Sequence, residues 1–166
     1  APHKRTHEAS HNFPIFNCDY GFLGSQDAEH KITIFVIKES KSGSIWVTMV
    51  PRKGVSETEV AIEFMISCIN ELGHKSAPVY LINDQEPAIK AVIEQVVNRR
   101  TAPTYLEESP VGSSQSNGSV ENAVQQAEGG IRTLRIALET NYSINLPLDH
   151  DICLLYTSPS PRDTLL

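Results

Sequence analysis

The sequence predicts an α/β fold in which a mixed five-stranded sheet is flanked by helices. Three observations predict it. An aromatic apolar run at 13–23 is followed by β-branched runs at 32–37 and 44–50 with only short turns between, the pattern of an antiparallel meander. After Pro51 the pattern changes to helical apolar spacing alternating with short buried runs, as parallel strands joined by helical crossovers require. And 166 residues, 40% hydrophobic and 20% charged, are enough for one domain with a real core.

The elements follow in order. Residues 13–23 read as a first strand, 25–30 as a turn, and 32–37 as a continuous β-branched strand suited to a sheet centre. Residues 39–43 form a second turn, and 44–50 a third strand stopped by Pro51. Ser56 with Glu59 predicts a capping box opening a helix whose inner face is Val60, Ala61, Phe64, Cys68, Ile69 and Leu72, with Gly73 ending it. Residues 79–82 predict a short buried strand. Glu86-Pro87 opens a second helix, with Ile89, Val92, Ile93, Val96 and Val97 inside and Arg99-Arg100 at its end, where the dipole favours them. Residues 102–106 predict a fifth strand and 107–118, rich in Ser, Gly and Asn, a mobile loop. A long helix is expected from about Ser119, with Val120, Ala123, Val124, Ala127, Ile131, Leu134 and Leu138 as its stripe and a weak point at Gly129-Gly130. A right-handed crossover would set the first strand beside the fourth, parallel to it.

No run of 18 apolar residues occurs, so no membrane span is expected. Cys18, Cys68 and Cys153 are far apart and odd in number, which suggests neither a disulfide framework nor a zinc ribbon; a reducing compartment is the default. Residues 1–12 read as a polar linker arm. His3, His7 and His11 would align on a helix, but Pro2 and the short length oppose one, and nothing completes a metal set. The missing initiator Met predicts a piece of a longer protein. A net charge of −6 would bind a nucleic-acid backbone weakly, so other domains or subunits would have to help.

Three acids stand out. Asp19 lies in the first apolar run, Asp84 ends the run beginning at Val79, and Glu121 follows Gln115-Ser-Asn-Gly118 at the start of the long helical pattern. Each has a bland alternative: an edge-strand position turned to solvent for Asp19, a helix cap for Asp84, and a first-turn glutamate favoured by the helix dipole for Glu121. Brought together, they would form an oxygen cage for hard divalent cations. Trp46 reads as core or subunit interface, and Glu63, Glu86 and Glu128 as surface.

Residues 13–150 resemble the catalytic core of retroviral and LTR-retrotransposon integrases, of the ribonuclease H-like superfamily and the D,D-35-E type. Sixty-four residues separate Asp19 from Asp84 and 36 separate Asp84 from Glu121. Asn83-Asp-Gln-Glu-Pro87 is similar to the segment at the family's second aspartate, and Ser116-Asn-Gly-Ser-Val-Glu121 to its Asn-Gly box; Asn122 stands where an Arg often follows the glutamate.

The resemblance implies that Asp19, Asp84 and Glu121 are the catalytic residues and hold two Mg²⁺ or Mn²⁺ ions, Asp19 bridging both. It implies metal-dependent trimming of a DNA 3′ end and transfer of that end into target DNA. It implies double-stranded DNA, both element ends and target, as partner, a homodimer or higher multimer, and an intracellular setting in the nucleus or a retroelement particle. Asn117, Gly118 and Asn122 of the box are candidate DNA contacts. Arg132 and Arg135 on the long helix read either as backbone contacts or as ordinary solvated surface. The segment 151–166 departs from the family and reads as disordered or artefactual sequence after a C-terminally truncated core. Two other functions fit less well. A ribonuclease H-type nuclease lacks a counterpart for its fourth carboxylate, and an inactive co-opted fragment acting as a binding module would not require three intact acids.

Overall fold

The computed structural model describes residues 12–24, 31–57, 59–83, 85–108, 114–148 and 150, and of residues 108 and 114–117 the backbone alone. The linker arm with its three histidines, Cys153 and the segment 151–166 lie outside these residues.

Among the described residues, eight elements run in the predicted order: β1 (Ile15–Leu23), β2 (Ile32–Glu39), β3 (Ile45–Val50), α1 (Val60–Glu71), β4 (Val79–Asn83), α2 (Pro87–Arg99), β5 (Thr104–Glu108) and α3 (Ser114–Tyr142). They build one sheet in the order β3-β2-β1-β4-β5. The meander β1–β2–β3 is antiparallel, and β4 and β5 join parallel to β1 and to each other. β1 is therefore the central strand of the sheet; its pairing with β4 covers Ile15–Asn17, and at Asp19 its paired neighbour is Val36 of β2.

Strand alternation splits the core in two. Phe16, Cys18 and Tyr20 of β1 point to the face covered by α1 and α2, where Phe35, Ile37, Trp46, Met65, Leu81 and Ile93 are buried with them. Leu23 points to the other face, packed with Ile34, Val36, Ile45 and Val47 against Ala123, Ala127 and Ile131 of α3. Trp46 is core, tilted against Phe16 at 6.4 Å between ring centroids. Each fully buried Ile, Leu or Phe stabilises the fold by roughly 1.5–3 kcal/mol.

Helix ends departed from expectation in two places. The capping box at Ser56 does not form: α1 starts at Val60, its N-cap is Glu59 in a left-handed conformation, and no side chain caps it. The Glu59 carboxylate instead takes the Arg99 guanidinium at 2.6 Å, which also bonds Glu63 at 2.8 Å and ties α2 to α1. The C-terminus behaves as predicted. Gly73 at φ +86° lets its own amide bond Asn70 and the His74 amide bond Ile69, closing the last turn.

The second departure is at α3. It begins at Ser114 rather than near Ser119, so 114–118, expected in a mobile loop, are helical, as 107–108 are strand. Once nucleated, a helix extends at small cost per residue, and the turn preferences of Ser and Asn do not stop it. Glu121 is consequently two turns inside the helix, not in its first turn. α3 also continues through Gly129 and Gly130, because the buried Ala127 and Ile131 anchor it on either side.

Candidate active site

Asp19 sits in the second half of β1, half-buried, opposite Val36 of β2. By alternation it points to the α3 face, with Asn17, Gly21 and Leu23. Its Oδ1 accepts the Tyr20 amide at 2.7 Å. The parallel pairing of β1 with β4 sets Asn17 opposite Ile82, one residue before β4 ends at Asn83. Asp84 itself lies outside the described residues.

α3 approaches this face because Gly21 has no side chain. A Cβ there would stand 2.8 Å from Val124 Cγ1, 2.9 Å from Glu128 Oε1 and 3.1 Å from Ile34 Cγ1. Through this gap Glu128 reaches the strand, and its Oε1 accepts the Phe22 amide at 2.9 Å. Glu128, read from the sequence as surface, is thus a tether between helix and central strand. Glu121, Val124 and Glu128 are spaced three and four apart and share one stripe of α3. Glu121 is exposed, about 10 Å along the helix axis from Glu128. The structure therefore sets Asp19 and the Glu121 stripe on the same side of the sheet.

The remaining candidates are spread along α3. Asn117 and Gly118 are in its first turns, and a Cβ at Gly118 would meet nothing within 4 Å. Asn122 and Arg132 are exposed. Arg135 is half-buried and bonds Glu139 at 3.3 Å, whose Oε1 also accepts the Leu146 amide at 2.9 Å.

On the opposite face, the same end of β1 carries groups that the sequence did not single out. Lys53 Nζ bonds Glu86 at 2.8 Å and lies 5.3 Å from the Tyr20 ring centroid and 5.6 Å from that of Phe22. The Tyr20 hydroxyl accepts the Gly54 amide at 2.8 Å. Burial pushes the Tyr20 phenol above its ordinary value against the pull of that bond, and negative charge at Cys18, Glu86 and Asp19 adds to the rise. These contacts pin the β3–α1 connection to the start of α2.

Asn17 was also missed. It is 6% exposed, and among the described residues its Oδ1 has no hydrogen-bond partner. Its sequence signal was parity: a polar residue two before Asp19 in an otherwise apolar strand shares the aspartate's face. A buried acceptor beside a carboxylate, with no cysteine or imidazole among the three predicted acids, suits a hard cation and its waters. The residues present fit Mg²⁺ in this respect. Among the described residues, no three His, Cys, Asp or Glu form a metal-holding group.

The sheet order and the three helices define a ribonuclease H-like α/β fold, that of integrase catalytic cores. Over 86% of its length the chain matches the HTLV-2 integrase catalytic core domain, solved in complex with magnesium in a dimeric form, at TM-score 0.54 and 18% identity, covering 83% of that chain. The trimeric form gives 0.53 and 18%, covering 84% of this chain and 78% of that one. A chain of the simian T-cell lymphotropic virus intasome, in complex with PP2A regulatory subunit B56 gamma, matches 84% of this chain at TM-score 0.57 and 20% identity; this chain spans 45% of it. At these identities the likeness establishes the fold. No family model and no curated protein matches the sequence.

Proposed function

We propose that this chain is an integrase-type catalytic core that trims DNA 3′ ends and joins them to target DNA, with Asp19, Asp84 and Glu121 holding two Mg²⁺ or Mn²⁺ ions. The observation that carries the reading is the position of Asp19: on the central strand, on the face that α3 crosses, beside the Gly21 gap that draws the Glu121 stripe onto the sheet. The magnesium-bound HTLV-2 cores of the same fold support it. Cations held there would acidify the attacking hydroxyl and stabilise the leaving oxygen.

The chain's own groups have separable tasks. Asp19 and Glu121 supply oxygen ligands from two elements, so the site depends on helix and strand docking correctly. Glu128 and Gly21 maintain that docking. Asn117, Gly118 and Asn122 toward the start of α3, with Arg132 and Arg135 further along, would lie against DNA. The net charge of −6 means that further basic surface, from a second copy or adjoining domains, supplies most of the backbone affinity. A dimer or higher multimer on double-stranded DNA, in the nucleus or a retroelement particle, follows from this reading.

The test is Mg²⁺- or Mn²⁺-dependent cleavage and joining of duplex oligonucleotides. Asp19→Asn, Asp84→Asn and Glu121→Gln should each abolish turnover, and activity surviving any one overturns the triad. Cleavage of the RNA strand of a hybrid without DNA joining would move the chain to the hydrolases.

A further inference from the structure

We infer that Asn17 is a positioning residue for the cation site at Asp19, its side-chain carbonyl oxygen accepting a hydrogen bond from a water of the cation's hydration shell. The inference rests on the reading of Asp19 as a metal ligand and extends it to a residue outside the acidic triad.

Four observations support it. Asn17 is almost fully buried, yet its Oδ1 has no partner among the described residues. Buried acceptors are normally satisfied, and a lone one signals an absent water, ion or ligand. Second, β1 pairs with β2 in unbroken register from Phe16 to Leu23, so Asn17 and Asp19 share a face without a bulge between them. Adjacent same-face positions on a strand are about 6.7 Å apart, a separation that one cation and one of its waters can bridge. Third, the flanking positions do not supply the missing donor. Ile82 on β4 is apolar, and Lys38, opposite on β2, leaves Oδ1 unbonded. Fourth, Mg²⁺ keeps several waters when bound, and these need acceptors. An amide oxygen provides one without adding a second negative charge beside Asp19.

The experiment measures Mg²⁺ binding directly, by calorimetry and by the rise in Tm on adding Mg²⁺, with no reliance on turnover. Asn17→Leu keeps the branched shape at Cγ and deletes the acceptor. Its apo Tm should equal or exceed that of the parent, because an unpaired buried oxygen is gone, while its Kd for Mg²⁺ rises about tenfold or more. Asn17→Asp, which keeps an oxygen at the same place, should bind Mg²⁺ within about threefold of the parent or more tightly. If the leucine variant does not fold, Asn17→Val is measured in its place, with the same expected loss of affinity. Parent-like Mg²⁺ binding by Asn17→Leu or Asn17→Val, alongside loss of binding in Asp19→Asn, overturns the role of Asn17 and leaves the Asp19 site standing. Parent-like binding by Asp19→Asn removes the site itself, and the inference with it.

Discussion

Glu128 Oε1 accepts a hydrogen bond from the Phe22 amide at 2.9 Å, tying the middle of α3 to the end of the central strand. The bond has a backbone cause. β4 pairs with β1 over Ile15 to Asn17, so amides further along β1 that face away from β2 need partners from elsewhere. Gly21, adjacent, leaves the space through which the carboxylate arrives.

Gly21→Ala is expected to destabilise the fold by about 1–3 kcal/mol, as overpacking does. Its Cβ would meet Val124 Cγ1 at 2.8 Å and Glu128 Oε1 at 2.9 Å. The glutamate tip can swing away, but a β-branched valine in a helix has one favoured rotamer, so the helix must lift. Denaturant unfolding should register the loss, and adding Val124→Ala should recover part of it. If Gly21→Ala alone matches the parent, α3 does not dock as closely as described.

The two glutamates of one helix stripe should separate by substitution. Glu128→Gln keeps an oxygen acceptor for the Phe22 amide, so stability and Mg²⁺ response are expected to stay close to the parent, whereas Glu128→Ala should cost roughly 1–2 kcal/mol by stranding that amide. Glu121→Gln should behave oppositely: no loss of stability, since Glu121 is exposed, but loss of metal-dependent DNA joining. A parent-like Glu121→Gln combined with a dead Glu128→Gln would exchange their roles.

The contrast between these residues explains what the sequence could and could not reveal. Element order and sheet topology were legible because burial periodicity changes once, at Pro51, from strand runs to helix–strand alternation, and that change leaves few ways to build the sheet. The central position of β1, and so of Asp19, followed. The starts of α1 and α3 were not legible. Ser56 and Glu59 carry the spacing of a local cap, but Arg99, forty residues away, claims the Glu59 carboxylate. Ser114 to Gly118 favour turns one by one, yet the helix propagates through them. Glu128 and Asn17 were overlooked for a related reason. Each is a polar residue in an amphipathic element, and only the packing of α3 on β1 decides which is buried. Asp84, the second acid of the motif, lies outside the described residues, so its place rests on the sequence resemblance.

Arg100 closes α2 and bridges three segments. Its Nη2 donates to the carbonyls of His74 at 3.2 Å and Ala77 at 2.9 Å, and its Nε to Thr104 Oγ1 at 2.9 Å. Burial lowers the guanidinium's pKa from its ordinary value, and the group stays charged. Removing charge-assisted bonds to two carbonyls makes Arg100→Ala cost roughly 2–4 kcal/mol, and Arg100→Lys should regain little because one ammonium cannot reproduce the fork. Thermal unfolding of both variants measures this, and a lysine variant as stable as the parent would refute the forked contact.

Cys68 reports on the core beneath α1. It is 2% exposed, and burial first, with the Glu71 charge adding, pushes its thiol from an ordinary 9.0 up to about 12. The thiolate is the reactive form, so Cys68 should resist alkylation at pH 8–9 in the folded chain and react promptly in denaturant. The linkage has a definite sign. In the unfolded chain the thiol ionises near 9.0, while the folded chain holds its proton to about 12. The stability this group contributes is complete below pH 9 and falls as pH rises from there toward 12. Cys68→Ala should flatten that alkaline decline while costing some core packing. Mass spectrometry of alkylated peptides reads the reactivity, and fast labelling of Cys68 in the native chain at pH 8 would show α1 to be loosely docked.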